Sequence, residues 1–282
     1  MTGDDFDLLC RMLKERSGLV LTRDKAYLLE SRLLPVARKR NMKSLDELIA
    51  ALRGRTDGDL VRDVVEAMTT NESFFFRDIK PFDQFRNFVL PALVKTRATK
   101  KSIRIWSAAC SSGQEPYSLA MILSEEKAKL PGWTFEIVAT DLSTEILEKA
   151  QAGVYSQFEV QRGLPIQLLV KYFKQQGERW QIDTAIRGMV KYRCLNLLDD
   201  FTSIGSFDVI FCRNVLIYFD QPTKTKVLER VARMMPGDGF LYLGGAETVI
   251  GITDKFQSMT EQRGIYTPSM SASAMAQKLA AM

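Results

Sequence analysis

The stretch Ile103–Ser118, IRIWSAACSSGQEPYS, decides how the rest of the chain is interpreted. Its apolar run Ile103–Ala109 predicts a buried strand, and the small residues after it predict a tight loop. Pro116 is typical of the first turn of a helix, where a missing N–H costs nothing. Strand, loop and helix N-terminus in this order form the usual nucleotide cradle of an α/β fold. The loop has one glycine, Gly113, where a dinucleotide fingerprint has three, so the loop alone does not identify its ligand.

Strand-like and helical segments alternate after Ser102. The strand-like runs lie at 102–109, 134–141, 189–197, 207–214, 239–245 and 263–269, and helices are predicted at about 116–130, 144–152 and 223–235. This alternation predicts a mostly parallel sheet with helices on both faces, that is, a Rossmann-like α/β fold. Residues 153–189 interrupt the pattern. They predict a helix at 164–175 and a short hairpin, an insertion suited to a lid or a partner-binding appendage.

The N-terminal part of the chain shows only helical periodicity. We predict an all-helical domain at 1–85, a linker at 86–101, the sheet domain at 102–269 and a disordered tail at 270–282. A helix predicted at about 24–39 should be broken or kinked by Pro35. A basic segment without acidic residues begins inside this predicted helix and contains Arg32, Arg38, Lys39, Arg40 and Lys43. Arg32, Lys39 and Lys43 would share one helical face, which is either a solvated surface or a docking surface for an acidic partner.

The composition narrows the possible chemistry. The 282 residues carry a net charge of +5 and contain no histidine, which excludes Ser-His and Cys-His nucleophile systems. The four cysteines are far apart and have neither zinc nor disulfide spacing, so we expect no metal site. Neither a signal peptide nor an apolar run of about 18 residues is evident, which favours a cytoplasmic protein without membrane insertion.

Polar side chains follow the predicted strands at the edge where α/β folds bind ligands. Asp141 ends the second strand, Glu115 lies at the lip of the first loop, and Asn196 and Asn214 follow the next two strands. An acid at the end of the second strand can accept both hydroxyls of a ribose. Glu115 would repel a diphosphate but suits a cationic amino-acid group. This pattern favours S-adenosylmethionine (SAM) over a nicotinamide dinucleotide.

Several separated motifs resemble one family. TTNESFFFRD, RIWSAACSSGQEPYSLAM, ATDLS, FDVIFCRNVLIYFD and PGDGFLYLGGAE resemble, in order, the chemotaxis protein methyltransferases of the CheR family. The resemblance extends to about Ser269. It implies a SAM-dependent methyltransferase sheet, a helical N-terminal domain and an inserted β-subdomain. It also implies transfer of a methyl group to glutamates of chemoreceptor cytoplasmic helices, with S-adenosylhomocysteine as the product.

The resemblance also implies roles for individual residues. Arg77 would pair with the methionyl carboxylate or steer the acceptor carboxylate, and Tyr218 would orient the acceptor or merely pack. Glu115 would contact the cofactor's amino group and Asp141 its ribose. The remaining cofactor contacts would be Asn71, Ser73, Asn196, Leu197, Asn214 and Val215, and the surface that docks on the receptor would comprise Arg32, Arg38, Lys39, Arg40 and Lys43.

A glutamate acceptor agrees with the missing histidine, because a carboxylate is already ionised at neutral pH and needs no general base. Two alternatives stay open. The basic N-terminal face, with FCRNVLIYF distantly resembling an Asn-Pro-Pro-Tyr loop without its prolines, would suit a nucleic-acid methyltransferase. The other alternative is a non-catalytic module that senses the cofactor and binds receptors. Under the main hypothesis we expect a monomer that binds no nucleic acid and, because the KQQGERW turn is short, no receptor pentapeptide.

Overall fold

The structure is a computed structural model that describes residues 2–54 and 57–269. The predicted tail, 270–282, lies outside the described residues. Within the described part of the chain, no helix is long and apolar enough to cross a membrane.

Four helices form the N-terminal unit. They are α1 (Gly3–Ser17), α2 (Ala26–Lys39), α3 (Leu45–Arg53) and α4 (Gly58–Met68). Side chains cap three of their N-termini: Thr2, Ser44 and Asp57 each accept a backbone N–H of the first turn, which satisfies donors that have no partner inside the helix. Their apolar faces meet in one core of Leu, Ile and Val side chains.

The structure corrects two expectations about the basic segment. Helix α2 runs through Pro35 to Lys39 instead of breaking there, because the next two residues, Val36 and Ala37, are buried in the helical core. Asn41 then takes a positive φ of 60° and turns the chain. Lys43 therefore lies outside α2, and the predicted common helical face of Arg32, Lys39 and Lys43 is wrong.

The sheet domain confirms the predicted α/β fold. Its larger sheet has the order β6–β2–β1–β7–β8–β10–β9, parallel from β6 to β8 and antiparallel at β10 and β9. The strands are β1 (Ser102–Ala108), β2 (Thr134–Asp141), β6 (Val190–Cys194), β7 (Val209–Cys212), β8 (Phe240–Leu243), β9 (Phe256–Ser258) and β10 (Ile265–Pro268). The helices that connect them are α7 (Gln114–Glu126), α8 (Thr144–Ala152) and α12 (Gln221–Arg233).

The insertion after α8 holds a small antiparallel sheet of order β3–β5–β4. Its elements are β3 (Val154–Ser156), α9 (Gln157–Gln161), α10 (Ile166–Tyr172), β4 (Phe173–Gln176), β5 (Arg179–Ile182) and α11 (Thr184–Arg187). The helix predicted at 164–175 ends at Tyr172 instead. Phe173 is extended because its ring packs edge-on against Phe75, with the two centroids 5.6 Å apart, and the strand β4 begins there.

The segment expected to be a linker, 86–101, is largely helical. It follows α5 (Lys80–Gln84) and contains most of a π-helical turn, Phe85–Val89, and α6 (Leu90–Thr96). Val89 and Leu93 are buried in the same core as the strands β1 and β7. A linker would not contribute to that core, so the interpretation of 86–101 as a linker does not describe this segment. The bounds of the domains themselves stay a prediction.

Gly163 of the insertion lies close to the backbone of the segment before the sheet domain. Its φ is +84°, and a Cβ built on it would lie 2.1 Å from the carbonyl oxygen of Phe75. Gly163→Ala should therefore lower the free energy of unfolding by about 3 kcal/mol in denaturant titrations. Gly177 is the matched control, since its φ is +60° but no described atom lies within 4 Å of its built Cβ. Gly177→Ala should cost about 1 kcal/mol, and equal losses in the two variants would contradict the contact argument.

Candidate cofactor site

A pocket opens at the carboxyl edge of the parallel strands, between the sheet and the helical unit. Ser17, Leu19 and Met68 line it from the helical side, and Cys110 and Arg213 line it from the sheet. Every residue predicted to contact the cofactor or the acceptor also lines it: Asn71, Ser73, Arg77, Glu115, Asp141, Asn196, Leu197, Asn214, Val215 and Tyr218. The structure thus brings the predicted residues together, while the group that each one binds stays a prediction.

The loop after β1 uses its N–H groups within the protein. Cys110 N–H donates to the Thr140 carbonyl (2.9 Å), and Gly113 N–H donates to the Cys110 carbonyl (3.1 Å). Ser111 N–H donates to Asp141 Oδ2 (2.8 Å). A phosphate cradle needs such N–H groups to point at the ligand. This loop instead shapes the pocket wall, as expected for a cofactor without phosphate.

Asp141 is the buried carboxylate at the end of β2. Its Oδ2 accepts the N–H of Ser111 and its Oδ1 accepts the N–H of Ser143 at 3.1 Å. Burial raises the pKa of Asp141, and these backbone N–H groups oppose the rise. A carboxylate has about four lone-pair sites, so Asp141 can hold the loop and still accept two hydroxyl groups.

Glu115 is the second buried carboxylate of the pocket, and it lies in the first turn of α7. Its Oε1 accepts the hydroxyl of Ser107 (2.8 Å), and its Oε2 accepts Arg213 Nη1 (3.0 Å). Burial raises the pKa of Glu115, and the positive charge of Arg213 opposes that rise. Each carboxylate oxygen keeps a lone pair for a further donor. Glu115 can therefore also accept a hydrogen bond from a cationic group in the pocket.

Sequence reasoning missed Arg213. The side chain is 1% exposed, and besides Glu115 it contacts the carbonyl of Arg77 (3.2 Å) and Asp78 Oδ2 (2.6 Å) through Nη2. Its Nε is buried and has no partner within the described residues. The signal was available, because an arginine directly after the apolar strand Val209–Cys212 must find a counter-ion when buried.

The segment before α5 crosses the pocket from the helical side. The Asn71 carbonyl accepts the hydroxyl of Ser111 (2.8 Å), and the N–H of Phe76 donates to the hydroxyl of Ser118 (3.0 Å). Arg77 Nη1 donates to the Glu72 carbonyl at 2.8 Å. This segment therefore bridges the two units directly over the loop after β1. Phe75 and Phe76 of this segment are buried in the core of the sheet domain.

Glu247 organises the loop after β7 and was also missed. Its carboxylate accepts the N–H groups of Asn214 (2.8 Å), Val215 (3.0 Å) and Gly244 (2.6 Å). Asn214 has a positive φ of 60°, which asparagine tolerates better than most residues. Glu247 therefore fixes the backbone on which two predicted cofactor contacts lie.

Asn196 joins the helical unit to the pocket. Its Nδ2 donates to the Arg16 carbonyl at the end of α1 (2.6 Å), and its Oδ1 accepts the N–H of Leu198 (3.0 Å). Both ends of this side chain thus have protein partners, whereas the adjacent Leu197 is buried in the apolar core. We infer that a ligand would meet the backbone here more than the Asn196 amide.

The residues present fit SAM. Glu115 and Asp141 supply buried carboxylates for an ammonium group and a ribose, and Arg77 supplies a cation for a carboxylate. Leu142 and Leu197 supply an apolar wall for a purine. The orphaned Nε of Arg213 would also gain an acceptor from a bound ligand or water. Among the described residues, no group of His, Cys, Asp or Glu could hold a metal ion.

The fold and the pocket are those of a SAM-dependent methyltransferase, and comparison with known families agrees. Residues 71–265 match the family described as "CheR methyltransferase, SAM binding domain". Residues 4–69 match "CheR methyltransferase, all-alpha domain". The chain belongs to the CheR methyltransferase family and is an enzyme of that kind with SAM as its cofactor.

Full-length relatives support this assignment. The chain is 43% identical over 265 residues to chemotaxis protein methyltransferase 1 of Pseudomonas aeruginosa, covering 93% of this chain and 96% of the relative. It is 40% identical over 269 residues to chemotaxis protein methyltransferase Cher2 of Pseudomonas putida, covering 94% and 98%. It is also 40% identical over 268 residues to chemotaxis protein methyltransferase 1 of Vibrio cholerae, covering 94% and 96%.

The structure divides the five predicted docking residues into two groups. Arg32 donates to the carbonyls of Met68 (2.9 Å) and Thr69 (2.8 Å), which fixes the end of α4. Arg40 is ion-paired with Asp63 (2.8 Å) and Asp57 (3.1 Å). These two arginines therefore have roles inside the helical unit, whereas the other three side chains, Arg38, Lys39 and Lys43, are exposed.

Proposed function

We propose that this protein transfers the methyl group of SAM to glutamate carboxylates on the cytoplasmic helices of chemoreceptors. The pocket itself is the observation that carries this proposal. The cation Arg77 and the two buried carboxylates Glu115 and Asp141 all line it. The chain contains no histidine, and a glutamate acceptor is already ionised at neutral pH and needs no base.

The protein's contribution is then positioning and exclusion of water. When bound, SAM supplies an electrophilic methyl group on a sulfonium. SAM would supply this methyl group to the acceptor oxygen and would leave as S-adenosylhomocysteine. Arg77 orients a carboxylate by charge, and Tyr218, which lines the same pocket, contacts the acceptor. Glu115 holds the amino-acid end of the cofactor, and Asp141 holds its ribose.

The receptor would dock on the basic side of the helical unit. Arg32 and Lys39 from α2 and Arg62 from α4 line a groove that shares Thr69 and Asn71 with the cofactor pocket, and the acids Asp63, Glu66, Glu145 and Glu148 line it as well. The acidic receptor helix is therefore expected to meet the exposed cations Arg38, Lys39 and Lys43 rather than to lie along this groove of mixed charge. The proposal also includes a monomeric enzyme that works in the cytoplasm. It further includes that the enzyme binds no receptor pentapeptide and does not act on nucleic acid.

Charge reversal of the exposed docking residues tests this surface. Arg38→Glu combined with Lys39→Glu should lower kcat/KM for receptor methylation by about 10-fold or more at low salt, because steering by opposite charge is lost. The cofactor Kd, measured by titration calorimetry, should stay unchanged. Arg40 is left intact because its ion pairs stabilise the helical unit.

A matched control reverses two exposed lysines at the opposite edge of the sheet. Lys100 precedes β1 and Lys127 follows α7, so both lie away from the carboxyl edge. Lys100→Glu with Lys127→Glu makes the same change in net charge and should leave receptor methylation near wild type. Equal losses in the two double variants would contradict a localised docking surface.

The acceptor class is tested directly with SAM labelled in its methyl group. The enzyme is incubated separately with a purified receptor cytoplasmic fragment, duplex DNA and RNA. We expect label only in the receptor, released as methanol by mild base as expected for an ester. Label in nucleic acid, or no transfer despite normal cofactor binding, would overturn the proposal.

A further inference from the structure

Arg213 connects two parts of the site that are far apart in sequence. Through Nη1 it reaches Glu115, 98 residues away, and through Nη2 it reaches Asp78, 135 residues away. The two carboxylates differ, because Glu115 is buried and the side chain of Asp78 is 52% exposed. One guanidinium thus contacts both the acid expected to meet the cofactor and the turn that carries Arg77.

That turn has an unusual backbone. Phe76, Asp78 and Ile79 have positive φ values of 51°, 69° and 51°. Positive φ is rare for bulky residues and most unusual for a β-branched one such as Ile79. Such a conformation persists only where surrounding contacts enforce it. Nη2 of Arg213 supplies two of these contacts, to the Arg77 carbonyl and to Asp78.

We propose that Arg213 is a positioning residue with two separable tasks. Its Nη1 pairs with Glu115 and fixes that carboxylate for the cofactor's ammonium group, and its Nη2 holds the Phe76–Ile79 turn so that Arg77 faces the pocket. The first task concerns cofactor binding alone, and the second rests on the proposed role of Arg77 toward the acceptor or the cofactor carboxylate.

The first task follows from the charges around Glu115. Arg213 and Arg77 are the cations that act on this carboxyl, and both lower its pKa against the effect of burial. The other titratable groups beside it are the thiols of Cys110 and Cys212, which burial keeps protonated by raising their pKa well above its usual value. Without Arg213, Glu115 loses most of the interactions that oppose the effect of burial on its pKa. The pKa of Glu115 therefore rises further.

The direction in which pH changes cofactor affinity follows from the charge of Glu115. A protonated Glu115 cannot attract an ammonium group, so cofactor affinity falls as pH falls through the raised pKa. The wild-type Kd, measured at each pH between about 6 and about 8, is the reference, because the amino group of the cofactor titrates at about pH 8 with either protein. In Arg213→Met, the ratio of its Kd to the wild-type Kd should be at least about 10 and should rise further toward the acidic end.

Two milder variants separate the two tasks and keep the test interpretable if Arg213→Met does not fold. Arg213→Lys keeps one positive charge but cannot reach both carboxylates as a planar fork does. It should restore the wild-type pH profile of cofactor binding while leaving methyl transfer impaired. Asp78→Ala removes only the exposed partner, so it should leave the pH profile of the Kd as in wild type and lower kcat by about 10-fold.

Titration calorimetry of the full chain with SAM, at several pH values and without receptor, tests the first task. This measurement does not depend on the acceptor, so its outcome is distinct from failure of the proposed function. A wild-type Kd at every pH for a folded Arg213→Met would overturn the first task. If Arg213→Met does not fold, a pH profile of the Kd in Arg213→Lys that departs from the wild-type profile would overturn it instead. Unchanged hydrogen exchange at 76–79 and unchanged kcat in Asp78→Ala would overturn the second task.

Discussion

Asp141→Ala is expected to weaken SAM binding by about 100-fold, equivalent to about 3 kcal/mol. The carboxylate would accept two ribose hydroxyl groups, and each hydrogen bond to a charged group is worth about 1.5–3 kcal/mol. The substitution also removes the acceptor of the Ser111 N–H. Titration calorimetry measures the Kd, and circular dichroism checks the fold.

Two further variants control this experiment. Asp141→Asn keeps an acceptor oxygen for Ser111 but loses the charge, so it should give an intermediate Kd. Asp254→Ala removes a highly exposed carboxylate whose side chain is 87% exposed, and it should leave the Kd unchanged. A wild-type Kd in Asp141→Ala would show that Asp141 serves the loop and not the cofactor.

Arg77→Ala is expected to lower kcat/KM for receptor methylation by about 1000-fold, equivalent to about 4 kcal/mol of transition-state stabilisation. The guanidinium lies at the pocket, where it would hold a carboxylate of the cofactor or of the acceptor. A higher cofactor Kd would indicate the first role, and an unchanged Kd with a higher acceptor KM would indicate the second.

Arg162→Ala is the matched control for Arg77. Arg162 and Arg77 both lie over the ring of Phe74, at 4.4 and 5.6 Å from its centroid. Arg162, however, pairs with Glu72 on an exposed surface, where an ion pair contributes little. Its removal should change kcat/KM by less than about 3-fold. Similar losses in both variants would mean that Arg77 acts by packing and not by charge.

The sheet and the position of the site were predictable because they follow from local patterns. Buried strands are apolar runs, and the edge where they end collects polar residues such as Glu115 and Asp141. Both signals lie within a few residues of each other in the sequence. The strand order seen in the structure then places these side chains in one pocket.

Pairings over long sequence separations could not be predicted in the same way. Arg213 finds Glu115 only because β7 lies beside β1 in the sheet. Arg40 is neutralised by Asp63, 23 residues away, and therefore is not free for a partner. The segment that the domain division treats as a linker, 86–101, is held in place because Val89 and Leu93 pack in the same core as the strands β1 and β7.

The most direct test of the central claim is to identify the atom that receives the methyl group. A receptor cytoplasmic fragment is incubated with enzyme and SAM and analysed by tandem mass spectrometry. We predict methyl esters on glutamate side chains of the receptor helices, absent when those glutamates are replaced by alanine and reduced in Arg77→Ala. Methylation of other side chains, or an unmodified receptor beside an enzyme that binds SAM normally, would contradict the account.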